Sequence, residues 1–146
     1  MPRELFEIPG IRYLHVHPGH LPEIRGADGF LWSLLVREMP GASCFYMNAG
    51  LDMGDLIITE NLPAPIFKLP KNITRPDDQI LYRILFSYCD PLLRADVFVR
   101  MIQKIPHISD STLASLLTSK QKKEEGITYH FMHPLLRKAA LQKLFV

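Results

Sequence analysis

The sequence predicts an α+β protein. A proline-rich, mainly β half, residues 1–73, packs on a helical half, residues 74–146, as one compact unit. Two observations predict this, and the charge distribution sets the halves apart. Apolar residues recur at helical spacing after residue 74, whereas alternating or β-branched runs dominate before it. Pro2, Pro9, Pro18, Pro22, Pro40, Pro63, Pro65, Pro70 and Pro76 crowd the first half and its linker, so segments there are short and turn-rich. The basic excess also lies at one end: residues 100–146 carry eight basic and three acidic side chains, residues 1–73 six basic and eight acidic.

In the first half, Ile11 to Val16 alternates around Tyr13 as a strand, and Pro18-Gly19 turns the chain. The run from Gly29 to Met39 fits a helix capped by Asp28, or a buried strand over Phe30 to Val36; the helix is favoured because Met39-Pro40 ends it. Ser43 to Met47 reads as a strand, followed by a turn at Asn48-Ala49-Gly50. Asp55 to Thr59 is the clearest strand, β-branched and compact. Ile66 to Leu69 reads as a short edge strand bracketed by prolines.

In the second half, Thr74 is placed to cap a helix, with Pro76 in its first turn and Asp77 and Asp78 facing the positive end of its dipole. Ile80, Leu81, Ile84, Leu85 and Tyr88 form its stripe. Asp90-Pro91 starts a second helix with Leu93, Val97, Met101, Ile102 and Ile105 on one face, stopped by Pro106. A third helix starts at Ser109 or Asp110, with Leu113, Leu116 and Leu117 inward and Ser111, Thr112, Ser115 and Ser119 on its other face; it runs through the lysines and stops near Gly126. Ile127 to Met132 alternates as a strand, and Pro134 opens a last helix. Two helices, a short third, a strand and a closing helix resemble the outline of a winged-helix or helix-turn-helix module.

That outline and the basic excess imply contact with nucleic acid through the third helix, because phosphate binding rests on clustered Lys and Arg. The candidate binding residues are Ser111, Thr112, Ser115, Lys120, Lys122, Lys123, Arg137 and Lys138. The competing reading of the same lysines is a solvated surface, since Glu124 and Glu125 offset them. Tyr129 and Phe131 either stack bases or pack against neighbouring helices.

Composition bounds the rest. At 47% hydrophobic and 22% charged, the chain is that of an ordinary globular protein. No apolar run approaches the ~20 residues a membrane helix needs. Met1-Pro2-Arg3-Glu4 lacks a signal-peptide core, which points to a cytoplasmic protein. Cys44 and Cys89 fit reduced thiols better than a disulfide scaffold.

The most enzyme-like feature is His15-x-His17-x-x-His20, with Glu23 after it. Residues two apart on a strand share a face, so His15 and His17 can hold one metal, with His20 and Glu23 completing it. The spacing resembles the first metal motif of the cupin barrels, although Gly10, His15, His17, Glu23 and Gly29 miss that pattern by a residue in each gap and no later His matches the second motif. Gly54 to Thr59 resembles a strand of the self-cleaving repressor peptidases, but residues 48–53 contain no serine to act as nucleophile. There is no G-x-S-x-G elbow, phosphate loop or dinucleotide-type glycine pair.

The expectation from sequence is therefore a small regulatory or accessory protein contacting nucleic acid, without a cofactor and more a module than an enzyme. A protein-interaction adaptor, partnered or self-associating, is the first alternative. A His-x-His metal enzyme of unknown reaction is the second.

Overall fold

A computed structural model describes residues 2–145 except Leu69, Ile73 and residues 106–115. The first half supplies strands β1 (Leu14–His17), β2 (Ile24–Gly26), β3 (Gly41–Tyr46) and β4 (Leu56–Asn61), with helix α1 (Gly29–Arg37) between β2 and β3. The second half supplies α2 (Asp78–Ile84), a π turn (Leu85–Cys89), α3 (Asp90–Gln103), β5 (Ile127–Tyr129) and α4 (Pro134–Gln142).

Strand β3 is the middle of an antiparallel sheet ordered β1-β3-β4. It is buried along its whole length, which suits its small residues Gly41, Ala42, Ser43 and Cys44. Alternation divides β1 between two faces. Val16 lies opposite Cys44 and packs toward Val97 and Met101 of α3; His15 lies opposite Phe45, on the other face with His17. The main core gathers Phe30, Leu31 and Leu34 of α1, Leu81 of α2, Leu85, Met132, and Ala140, Leu141 and Leu144 at the end of the chain.

The winged-helix outline is not what forms. A wing requires β5 to join a local hairpin. Instead β5 runs parallel to β2, with Ile24 opposite Ile127 and Gly26 opposite Tyr129. Arg25 locks this pairing. Its side chain is fully buried and donates to the carbonyls of Lys122, Lys123 and Gly126 at 2.8, 3.0 and 3.2 Å.

Local signals also resolve differently from expectation. The cap of α2 is Asp77 rather than Thr74: its carboxylate accepts from the amides of Gln79 and Ile80 at 2.8 and 2.9 Å. Asp28 precedes α1 in the left-handed region, φ +54, and does not cap it. Its oxygens instead accept from the Tyr82 hydroxyl at 2.8 Å and the Met132 amide at 2.7 Å, tying α1 to both α2 and the approach to α4. The helices expected on either side of Asp90-Pro91 run into one another through the π turn. Ile66 to Leu69 makes no strand among the described residues; Phe67 forms one isolated bridge with Phe145. Most of the expected third helix lies outside the described residues.

Candidate functional site

The turn after β1 and the loop between β3 and β4 meet at His17. The imidazole is 2% exposed. Its Nε2 lies 2.9 Å from the carbonyl of Ile24, which only accepts, so Nε2 carries the proton and donates. The other nitrogen, Nδ1, faces Asp52 Oδ2 at 3.6 Å, too long for a hydrogen bond but close enough for strong electrostatic coupling in a buried place. Glycines make room for the ring. A Cβ on Gly19 would stand 2.6 Å from Nε2, and one on Gly29 3.0 Å from it.

Asp52 is held from three directions. The amide of Gly26 donates to its Oδ2 at 2.7 Å. The Gln121 side-chain amide donates to the carbonyls of Asp52 and Gly54 at 3.0 and 2.7 Å. Its own backbone sits at φ +52, a left-handed conformation that aspartate tolerates better than most residues. Gly54 admits no side chain: a Cβ there would collide with the carbonyl of Tyr46.

His15 completes the cluster. One ligand-type atom from each of His15, His17 and Asp52 lies within 4.8 Å of the others. His15 also meets the Phe45 ring edge-on, with centroids 5.6 Å apart. Burial lowers the pKa of both histidines against the opposing pull of Asp52, which keeps the imidazoles neutral near pH 7. The buried hydroxyl of Ser43 supports the turn, donating to Gly19 O at 2.8 Å and accepting from Leu21 N at 2.9 Å.

The structure thus joins His15 and His17 as the strand spacing predicts, but with Asp52 in place of His20 and Glu23. His20 Nδ1 lies 3.9 Å from Glu23, whose other oxygen pairs with Arg37 at 2.7 Å, outside the cluster. Asp52 was missed by sequence reasoning; the available signal was an acid bracketed by Gly50 and Gly54 between two strands. Cys44 faces Met101 and Ile105, and burial pushes its thiol up to about 11, so it is no nucleophile.

The residues expected to bind nucleic acid fall on the segment before β5, on α4 and outside the described residues. Ser111, Thr112 and Ser115 lie outside the described residues. Lys120, Lys122 and Lys123 are exposed on the segment before β5, where the carbonyls of Lys122 and Lys123 receive Arg25. Arg137 on α4 lies over the ring of Tyr82, 4.3 Å from its centroid, and Lys138 is exposed. Among the described residues no helix is long and apolar enough to cross a membrane.

No family model matches the chain. A methionyl-tRNA formyltransferase from Syntrophus aciditrophicus is 31% identical over 133 residues, which cover 87% of this chain and 38% of that protein. The formyltransferase PseJ from Anoxybacillus kamchatkensis, solved with UDP-4,6-dideoxy-4-formamido-L-AltNAc and tetrahydrofolate, superposes with a TM-score of 0.52 at 22% identity over 90% of this chain and 59% of its own. A 4-N formyltransferase from Francisella tularensis gives 0.55 at 16% identity, over 96% and 54%.

These likenesses correct the expectations drawn from sequence. The winged-helix or helix-turn-helix assignment gives way to a mixed sheet with helices. The DNA-binding, transcription-regulating accessory protein, the non-enzymatic adaptor and the metal enzyme of unknown reaction give way because the similar proteins are formyltransferases, enzymes by name. The expected DNA partner is not supported: the Anoxybacillus enzyme was solved with a folate and a nucleotide sugar. The chain has the fold of the formyltransferases, and it spans about two-fifths of the length of the curated relative it matches over 133 residues.

Proposed function

We propose that this chain carries the acid–base centre of an N-formyltransferase, moving a formyl group from an N-formyl donor to a primary amine. The observation that supports it is the contact of His17 Nε2 with the Ile24 carbonyl, from which the tautomer follows. With Nε2–H committed to the Ile24 carbonyl, the lone pair of Nδ1 is the free basic site, and it points toward Asp52.

The chemistry follows from that arrangement. The acceptor amine attacks the formyl carbon, a new C–N bond forms, and Nδ1 of His17 takes the proton the amine sheds. The imidazolium so formed is stabilised by the Asp52 carboxylate and by the Ile24 carbonyl. The proton then passes to the donor nitrogen as its C–N bond to the formyl carbon breaks. Burial keeps His17 neutral beforehand, so the base is available at neutral pH. An N-formyl tetrahydrofolate is the donor class that matches the tetrahydrofolate in the Anoxybacillus complex, and it would supply the one-carbon unit as an activated amide. Acceptors of both kinds carried by similar proteins, methionyl-tRNA and nucleotide-linked amino sugars, present the primary amine this centre needs. The cytoplasmic setting expected from the sequence suits that donor.

The test is transfer of isotopically labelled formyl from formyl-tetrahydrofolate to each acceptor by the full chain. Labelled product is expected with one acceptor class. His17→Asn and Asp52→Asn should each lower kcat by roughly a hundredfold or more, the scale of positioned acid–base catalysis. Failure of both acceptors, or variants as active as the parent, overturns the proposal.

A further inference from the structure

We infer that His15, His17 and Asp52 also form a site for a divalent cation of the zinc class, and that the cation is an antagonist of the transfer rather than its cofactor. The cluster has the donor set such ions prefer, two imidazoles and a carboxylate. The spacing fits. Ligand atoms sharing one zinc ion at about 2.1 Å lie roughly 3–4 Å apart, and His17 Nδ1 already stands 3.6 Å from Asp52 Oδ2. His15 lies within 4.8 Å of both, so a small change in its side-chain angles brings it into range.

The supporting contacts are those that orient metal ligands elsewhere. A ligating histidine usually donates its second N–H to a carbonyl or carboxylate, and a ligating carboxylate is itself hydrogen-bonded. His17 donates Nε2–H to Ile24 O at 2.9 Å. Asp52 Oδ2 accepts from Gly26 N at 2.7 Å. No proton has to leave, because Nδ1 already holds its lone pair free. That lone pair is also the reason binding inhibits. A cation on Nδ1 occupies the one basic site of His17, and a cation on Asp52 cancels the charge that stabilises the imidazolium.

Cation binding stands on the geometry alone; the inhibition rests on the proposed formyl transfer. The experiment separates them. The tag-free full chain is titrated with Co2+, read by its tetrahedral visible absorption, and with Zn2+ by calorimetry. One ion per chain is expected. Asp52→Asn, which keeps side-chain size, and His15→Asn, which removes the imidazole, should each weaken binding by about tenfold or more, with circular dichroism confirming that they fold. His130→Gln, at an exposed histidine outside the cluster, should bind as the parent does. No saturable binding, or affinity unchanged in both cluster variants, overturns the site whatever the outcome of the transfer assay. If transfer is observed, Zn2+ should suppress it in proportion to occupancy and a chelator should restore it; full activity at saturating Zn2+ overturns the antagonism.

Discussion

Gln121 holds Asp52 by its backbone rather than by its carboxylate. The Gln121 amide bridges the carbonyls of Asp52 and Gly54, so a residue on the segment leading to β5 fixes the loop that carries the acid. The carboxylate, oriented by the Gly26 amide, faces His17.

Removing that bridge should loosen the acid more than the fold. Gln121→Ala deletes two hydrogen bonds and is expected to cost about 1–2 kcal/mol in chemical denaturation. Its transfer rate should fall further than that loss alone implies, because Asp52 would sample positions away from His17. A variant equally destabilised but fully active would assign Gln121 to stability only.

The pH dependence has a definite sign. Burial, opposed by Asp52, sets the His17 pKa below its ordinary 6.5. The acid limb of kcat/KM should therefore have its midpoint below that value, with activity flat above it. Stability follows the same group. The unfolded chain, with the higher histidine pKa, takes up the proton first, so stability is full above about 6.5 and declines as pH falls through the window beneath it. Denaturant midpoints measured across that window check this, and an increase on acidification would contradict it.

Gly19 tests how tightly the imidazole is seated. A Cβ at Gly19 would lie 2.6 Å from His17 Nε2 and 2.8 Å from the Ile24 carbonyl, the two atoms that set the tautomer. Gly19→Ala should displace the ring and lower kcat by at least about tenfold. Histidine NMR would show the change as a lost Nε2–H hydrogen bond.

How much of this was legible in the sequence differs from element to element. The strand β1, the helix at Gly29, the strand after Gly54 and the helix at Pro134 were readable because each carries its own periodicity or stop signal. The pairing of β2 with β5 was not. It joins two three-residue strands a hundred residues apart, and nothing local in Ile24 to Gly26 marks a strand. Asp77 outcompeted Thr74 as the cap because its carboxylate reaches two amides at once. Half of the site was visible in His15-x-His17. Asp52 was not, because a loop residue reaches His17 only once β3 and β4 have brought their connection back over β1.

Asp28 offers a spectroscopic handle on the α1–α2 junction. Burial first, and the Asp28 carboxylate second, push the Tyr82 hydroxyl up to about 12. Asp28→Asn removes the negative charge, so the phenol should titrate lower, moving toward 10, in an ultraviolet absorbance titration. An unmoved titration would mean that the 2.8 Å contact does not persist in solution.

The buried guanidinium of Arg25 sets how the molecule responds to ionic strength. Its partners among the described residues are three carbonyl groups rather than a carboxylate, and the guanidinium itself is buried away from counterions. Exposed pairs such as Arg3 with Glu7 weaken as salt is added, whereas this fastening between distant stretches of chain does not. High-salt buffers should therefore leave the β2–β5 seam shut, and the turn that seats His17 shut with it.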